Sequence, residues 1–169
     1  MTAERFPVAV VAERRPCRSP WLDHVARVDA VLPAAVDCAP WTPLGEEAGA
    51  MRFFAGNTDI VARKADTKNY KDNLEAPQPA VYVVLRKGAT PLGWSLLLAT
   101  ADPAEAQAHG ECGDDLLEAV AMPPEVRDWL TDFVTRHHVE RKQWKRRRDR
   151  VDPEAMAPRH PDSERGITT

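Results

Sequence analysis

Three groups of side chains in this 169-residue sequence could do chemistry. The first is a set of metal-ligand types: His109, Glu111 and Cys112 fall within four residues, and His137 and His138 follow as an adjacent pair. Imidazole and thiolate are the ligands zinc prefers. Neighbouring residues on a helix point about 100° apart, so His137 and His138 cannot both join one site. The expectation is one histidine on an apolar stripe and the other in solvent, and no metal or cofactor is assigned.

The second group holds the candidate nucleophiles and carboxylates. Cys17, Cys38, Cys112, Ser19, Ser95 and Ser163 occupy no nucleophile elbow and no recognised catalytic signature, so they read as packing or surface residues. Asp114, Asp115 and Glu118 lack the ligand spacing of a calcium loop and read as a solvated acidic face. No catalytic residue is assigned.

The third group is the strongest. From Arg136 to Arg150 there are eight Lys/Arg against Glu140 and Asp149, a local charge of +6 in a chain whose net charge is -3. The remainder therefore carries -9, and such asymmetry signals a partner. Within the run, Arg141, Lys142, Trp144, Lys145, Arg146, Arg147, Arg148 and Arg150 are the candidate partner-binding residues. Trp144 can anchor in a pocket while the cations steer association toward an acidic surface. Nucleic acid ordinarily meets a basic face across a whole domain, and a membrane needs an apolar face beside the charges, so a protein with an acidic surface is the preferred partner. A solvated helix end that only favours the helix dipole is the bland alternative.

These residues need a frame. A chain of this length, 43% hydrophobic and 29% charged, argues for one domain with a core of its own. No apolar run approaches the roughly 18 to 20 residues that span a bilayer. The N-terminus lacks a secretory pattern, and three widely spaced cysteines suit a reducing compartment, so a cytoplasmic location is expected.

Period-two alternation predicts strands over Phe6 to Glu13 and His24 to Leu32, with a proline-punctuated loop from Arg15 to Leu22 between them. Pro33 to Gly49 reads as a second connection. Met51 to Ala55 and Thr58 to Arg63 read as a hairpin turning at Gly56-Asn57. Residues 65–75 predict a short helix capped by Asp66, and Ala80 to Lys87 with Leu92 to Thr100 form the central hairpin. Asp102-Pro103 opens a helical turn, and Leu116 to Met122 is a last strand.

Pro123-Pro124 opens a long helix whose stripe is Val126, Trp129, Leu130, Phe133, Val134 and His137, running on into a basic end at 136–150. Residues 1–148 are then a single domain and 151–169 a disordered tail. The fold class is α+β: a curved antiparallel sheet or partly open barrel of about six or seven strands, with a short inserted helix and a C-terminal amphipathic helix.

The segments Pro7-Val-Ala-Val-Val-Ala-Glu-Arg-Arg, Ser19-Pro-Trp, Ala39-Pro-Trp, Tyr70-Lys-Asp-Asn-Leu-Glu, Pro79-Ala-Val-Tyr-Val-Val-Leu-Arg, Met122-Pro, His137-His-Val-Glu and Lys145-Arg-Arg-Arg carry a resemblance over most of 6–148. Together they resemble a domain-of-unknown-function family of short bacterial proteins often labelled molybdopterin-guanine dinucleotide biosynthesis protein A. The resemblance implies a genetic context of formate dehydrogenases and molybdenum-cofactor maturation factors. The label implies nucleotidyl transfer, which needs a glycine-rich phosphate loop and carboxylates for Mg²⁺. Here the first glycine is Gly45 and no such loop motif occurs. The expectation is a non-catalytic cytoplasmic accessory protein of molybdoenzyme assembly, with a cofactor-biosynthesis enzyme and a nucleic-acid-binding protein as alternatives.

Overall fold

The computed structural model describes residues 3–140, and the unit Met1–Val139 contains every element. Seven strands, β1 (Ala3–Ser19), β2 (Leu22–Leu32), β3 (Thr42–Glu47), β4 (Ala50–Arg63), β5 (Ala80–Lys87), β6 (Trp94–Thr100) and β7 (Asp115–Ala121), are accompanied by three helices, α1 (Thr67–Leu74), α2 (Pro103–Gly110) and α3 (Pro124–His137). The class is α+β, and the strands divide between two open antiparallel sheets, ordered β2-β1-β4-β3 and β6-β5-β7.

The core lies where the inner faces meet. Val8, Val10 and Ala12 of β1 share it with Val81, Val83 and Leu85 of β5, spaced two apart as one face of a strand requires. Helix α3 adds Val126, Leu130, Phe133 and Val134, and α1 adds Tyr70. Each large side chain buried this way contributes roughly 1.5–3 kcal/mol. Aromatic contacts run along α3: Phe6 to Trp129 at 5.3 Å, Trp129 to Phe133 at 6.5 Å and Phe133 to His137 at 4.7 Å between ring centroids.

Ala9 and Val11, on the other face of β1, are also buried. The chain between β2 and β3 has to cross from one edge of the sheet to the other, and it crosses over this outer face. Asn57, paired with Ala9 and so on its face, accepts the Val36 N–H through Oδ1 and donates through Nδ2 to the Val36 carbonyl.

Several local expectations are corrected. Gly56-Asn57 does not turn, because β4 runs through it and pairs with β1 along most of its length. The register slips between Val10–Gly56 and Val11–Phe54, and Gly56, at φ +144°, supplies the irregular backbone of that bulge. Arg15 to Ser19 is strand, zipped onto β2 by the pairs Arg15–Val25, Pro16–His24 and Ser19–Leu22, with the turn confined to Pro20 and Trp21. The connection Pro33 to Gly49 contains β3, an edge strand, where Pro43 is tolerated. Asp66 precedes α1 without a side-chain cap; a 3₁₀ turn, Lys64–Asp66, leads into the helix. Asp102 does cap α2, its carboxylate accepting the Ala104 N–H at 2.8 Å.

The long helix stops earlier than its charge pattern suggested. Val134 O accepts the His138 N–H, and His138 itself is extended at φ -75°, ψ 126°, so of the lysines and arginines in the run 136–150 the helix α3 carries Arg136 alone among the described residues. The residues assigned to partner binding, Arg141 to Arg150, and the tail 151–169 lie outside the described residues.

Candidate functional site

Asp115 opens β7 directly opposite Arg86 of β5. Arg86 Nε and Nη2 donate to its two carboxylate oxygens at 2.8 and 3.0 Å, and His109 Nδ1 lies 3.3 Å from Oδ2. The side chain is fully covered, which corrects its reading as part of a solvated acidic face. The guanidinium, with His109 behind it, holds the Asp115 carboxyl below its ordinary range. Glu118 lies 3.6 Å from Arg27 of β2, so it too is paired. Asp114 remains exposed.

A second polar cluster joins α1, α2 and the second sheet. Asn73 is buried and sends Nδ2 to the carbonyls of Ala80 and Ala101, at 2.9 and 2.8 Å, while its Oδ1 accepts the Ala80 N–H at 3.0 Å. Asn69 donates to Asp102 at 3.2 Å, and Thr100 donates to Glu105 at 2.6 Å. Tyr70 closes the motif: its hydroxyl accepts the Arg63 N–H at 3.1 Å, and burial pushes its phenol up. The Tyr70-Lys-Asp-Asn segment therefore clamps strands in place through groups already occupied by hydrogen bonds.

The ligand and nucleophile candidates do not converge. His137 packs edge-on to Phe133, and His138 is half-buried with Nδ1 3.2 Å from Thr67 Oγ1, which corrects its expected solvation. Cys112 Sγ donates to Ala108 O at 3.4 Å, and Ser95 Oγ to Arg86 O at 3.2 Å. Among the described residues no three His, Cys, Asp or Glu are grouped to hold a metal ion. Open depressions are present among the described residues. One of about 490 Å³ lies beside the Arg5–Asp59 ion pair on the outer face of β1 and β4, and one of about 440 Å³ lies between α1 and α3, with His138 at its edge.

The most conspicuous surface feature lies where β1 turns into β2. Pairing between β1 and β4 ends at Arg14–Met51, so beyond Arg14 only β2 accompanies β1 and the two form a ribbon. At its tip Trp21 is 89% exposed and Leu22 58% exposed. Arg14, Arg15 and Arg18 precede the turn, and Arg15 is paired with Glu13 at the ribbon's base. The sequence signal is Ser19-Pro-Trp-Leu between two strands, which reads as part of a loop only while Arg15 to Ser19 are taken for loop.

A family model described as a protein of unknown function, DUF3305, matches residues 7–148. No curated protein and no solved structure matches the chain. No helix among the described residues is long and apolar enough to cross a membrane.

Proposed function

The chain belongs to the DUF3305 family of proteins of unknown function, and from that premise we propose that it is a non-catalytic accessory protein that binds a partner protein with an acidic surface. The observation that carries this reading is the distribution of charge along the sequence. Among the described residues the buried core ends at Val134, whereas the cationic run with Trp144 lies at 141–150. In a chain that is otherwise acidic, a cationic run carrying a tryptophan suits an acidic partner surface.

The polar groups deepest in the fold support the non-catalytic part of the reading. Asn73, Asp102 and Asp115 spend their hydrogen-bonding capacity on holding strands and helices of the same chain together. By the resemblance of its motifs, the partner is a molybdenum-cofactor enzyme such as a formate dehydrogenase, or its maturation factor, met in the cytoplasm.

The test is co-purification from the host of the tagged full chain, a chain lacking 139–169, and a full chain with Lys142, Lys145, Arg146, Arg147 and Arg148 changed to Glu. Loss of one acidic protein from both altered chains is expected. Retention of every partner sinks the proposal, and saturable heat on titration with GTP and Mg²⁺ sinks its non-catalytic part.

A further inference from the structure

We propose that the ribbon formed by the ends of β1 and β2 is a docking arm, with Trp21 seated in an apolar pocket of the partner protein and a carboxylate at the pocket's rim meeting Arg18. The acidic character of the partner rests on the function proposed above; the arm itself rests on separate observations.

The first is geometric. A two-stranded ribbon has little of its own to bury and is marginal unless something else holds it. Here its base is held: Glu13, 5% exposed, pairs with Arg15, and β1 behind it is paired on one side with β2 and on the other with β4. The tip is thus presented by a fixed stem. Its turn carries a hydrogen bond of its own, the Trp21 N–H donating to Ser19 Oγ at 3.3 Å. A backbone held before binding loses less conformational freedom on docking, and that raises affinity.

The second is chemical. Trp21 and Leu22 are the two most exposed large apolar side chains between Ala3 and Glu47, and they are adjacent. Tryptophan and arginine are among the residue types enriched at the energetic centre of protein interfaces. The charges around it select the partner. Arg15 is occupied by Glu13 and Arg27 faces Glu118, while Arg14 lies 6.0 Å from the Phe53 ring and Arg18 is exposed with no ion-pair partner among the described residues. Asp23 follows immediately after Leu22. One available cation at the tip, Arg18, suits a carboxylate at the rim of an apolar pocket. It does not suit a phosphate backbone, whose binding takes roughly six to ten cationic contacts in strong complexes.

The experiment places a photo-crosslinking phenylalanine analogue at position 21 of the full chain, and at exposed Leu97 of β6 as control, and irradiates in the host. The protein joined at position 21 is identified, purified and titrated with the unaltered chain, Trp21→Ala, Arg18→Glu, and the Glu-substituted basic run. One protein crosslinked from position 21 and not from 97 is expected. Trp21→Ala should weaken its binding roughly tenfold to a hundredfold and Arg18→Glu several-fold, with melting temperatures unchanged.

The proposal is overturned by crosslinking no better than the control, by crosslinks to nucleic acid or to a second copy, or by a Trp21→Ala affinity within about twofold of the original. The variants separate the two readings. Weakening by Trp21→Ala with none from the altered basic run leaves the arm standing and removes the run, and the reverse pattern does the opposite.

Discussion

Arg86 and Asp115 stand directly across β5 and β7, and two hydrogen bonds of 2.8 and 3.0 Å bind the guanidinium to both oxygens of a carboxylate with no exposed surface. Arg86 chiefly, with His109, lowers the Asp115 pKa in the fold. A group whose folded pKa is lowered stabilises above its unfolded value and loses that contribution as pH falls through the folded value. Stability should therefore decline on acidification below about pH 4, where a free aspartate titrates. Asp115→Asn should lower the urea midpoint at neutral pH and shrink its difference from the unaltered chain as pH approaches 2. Glu4, lowered chiefly by Arg136, contributes in the same direction.

Asn73 satisfies three backbone groups from a position 3% exposed. Asn73→Ala leaves the Ala80 N–H and the carbonyls of Ala80 and Ala101 short of partners, and each such group costs about 1–3 kcal/mol. A loss of at least that size in chemical denaturation is expected. Asn73→Asp should also destabilise, since a carboxylate keeps the acceptor and loses the donor.

Gly56 sits at φ +144°, where a side chain strains the backbone, and an added Cβ would stand 3.5 Å from Leu96 Cδ2. The space is adequate and the conformation is not. Gly56→Ala should cost about 1–3 kcal/mol, and Gly88→Ala, which carries no positive φ, gives a measure of crowding alone against Ser95.

Tyr70 is buried against Phe133 at 6.2 Å between centroids, and burial raises its pKa. A raised folded pKa gives stability that is full below the unfolded value, near 10, and lost as pH climbs through the folded one. Alkaline unfolding should begin above about pH 10. Tyr70→Phe should flatten that limb while lowering stability at neutral pH, because the Arg63 N–H loses its acceptor.

Where burial follows one simple period, the sequence was readable. The α3 stripe of Val126, Leu130, Phe133 and Val134, the β5–β6 hairpin and the Asp102 cap stand as their spacing implied. The misreadings share a physical cause. Gly56-Asn57 carries turn chemistry and Arg15 to Ser19 loop chemistry locally, yet ladder pairing with β1 and β2 overrides both, and a bulge uses the same positive φ that a turn would. Asp115 read as solvated because its partners, Arg86 and His109, come from a different strand and helix. The exposed Trp21 tip was hidden for the same reason, since only pairing shows that its flanks are strands. The candidate run Arg141 to Arg150 was legible as charge alone.

Association kinetics with the purified acidic partner, measured for the full chain and for the chain carrying Glu at 142, 145, 146, 147 and 148, test the central claim most directly. Steering by the basic run predicts an association rate that falls steeply between about 50 and about 200 mM salt in the unaltered chain, and a slow, nearly salt-independent rate in the altered one. Equal rates with equal salt dependence in the two chains would contradict it.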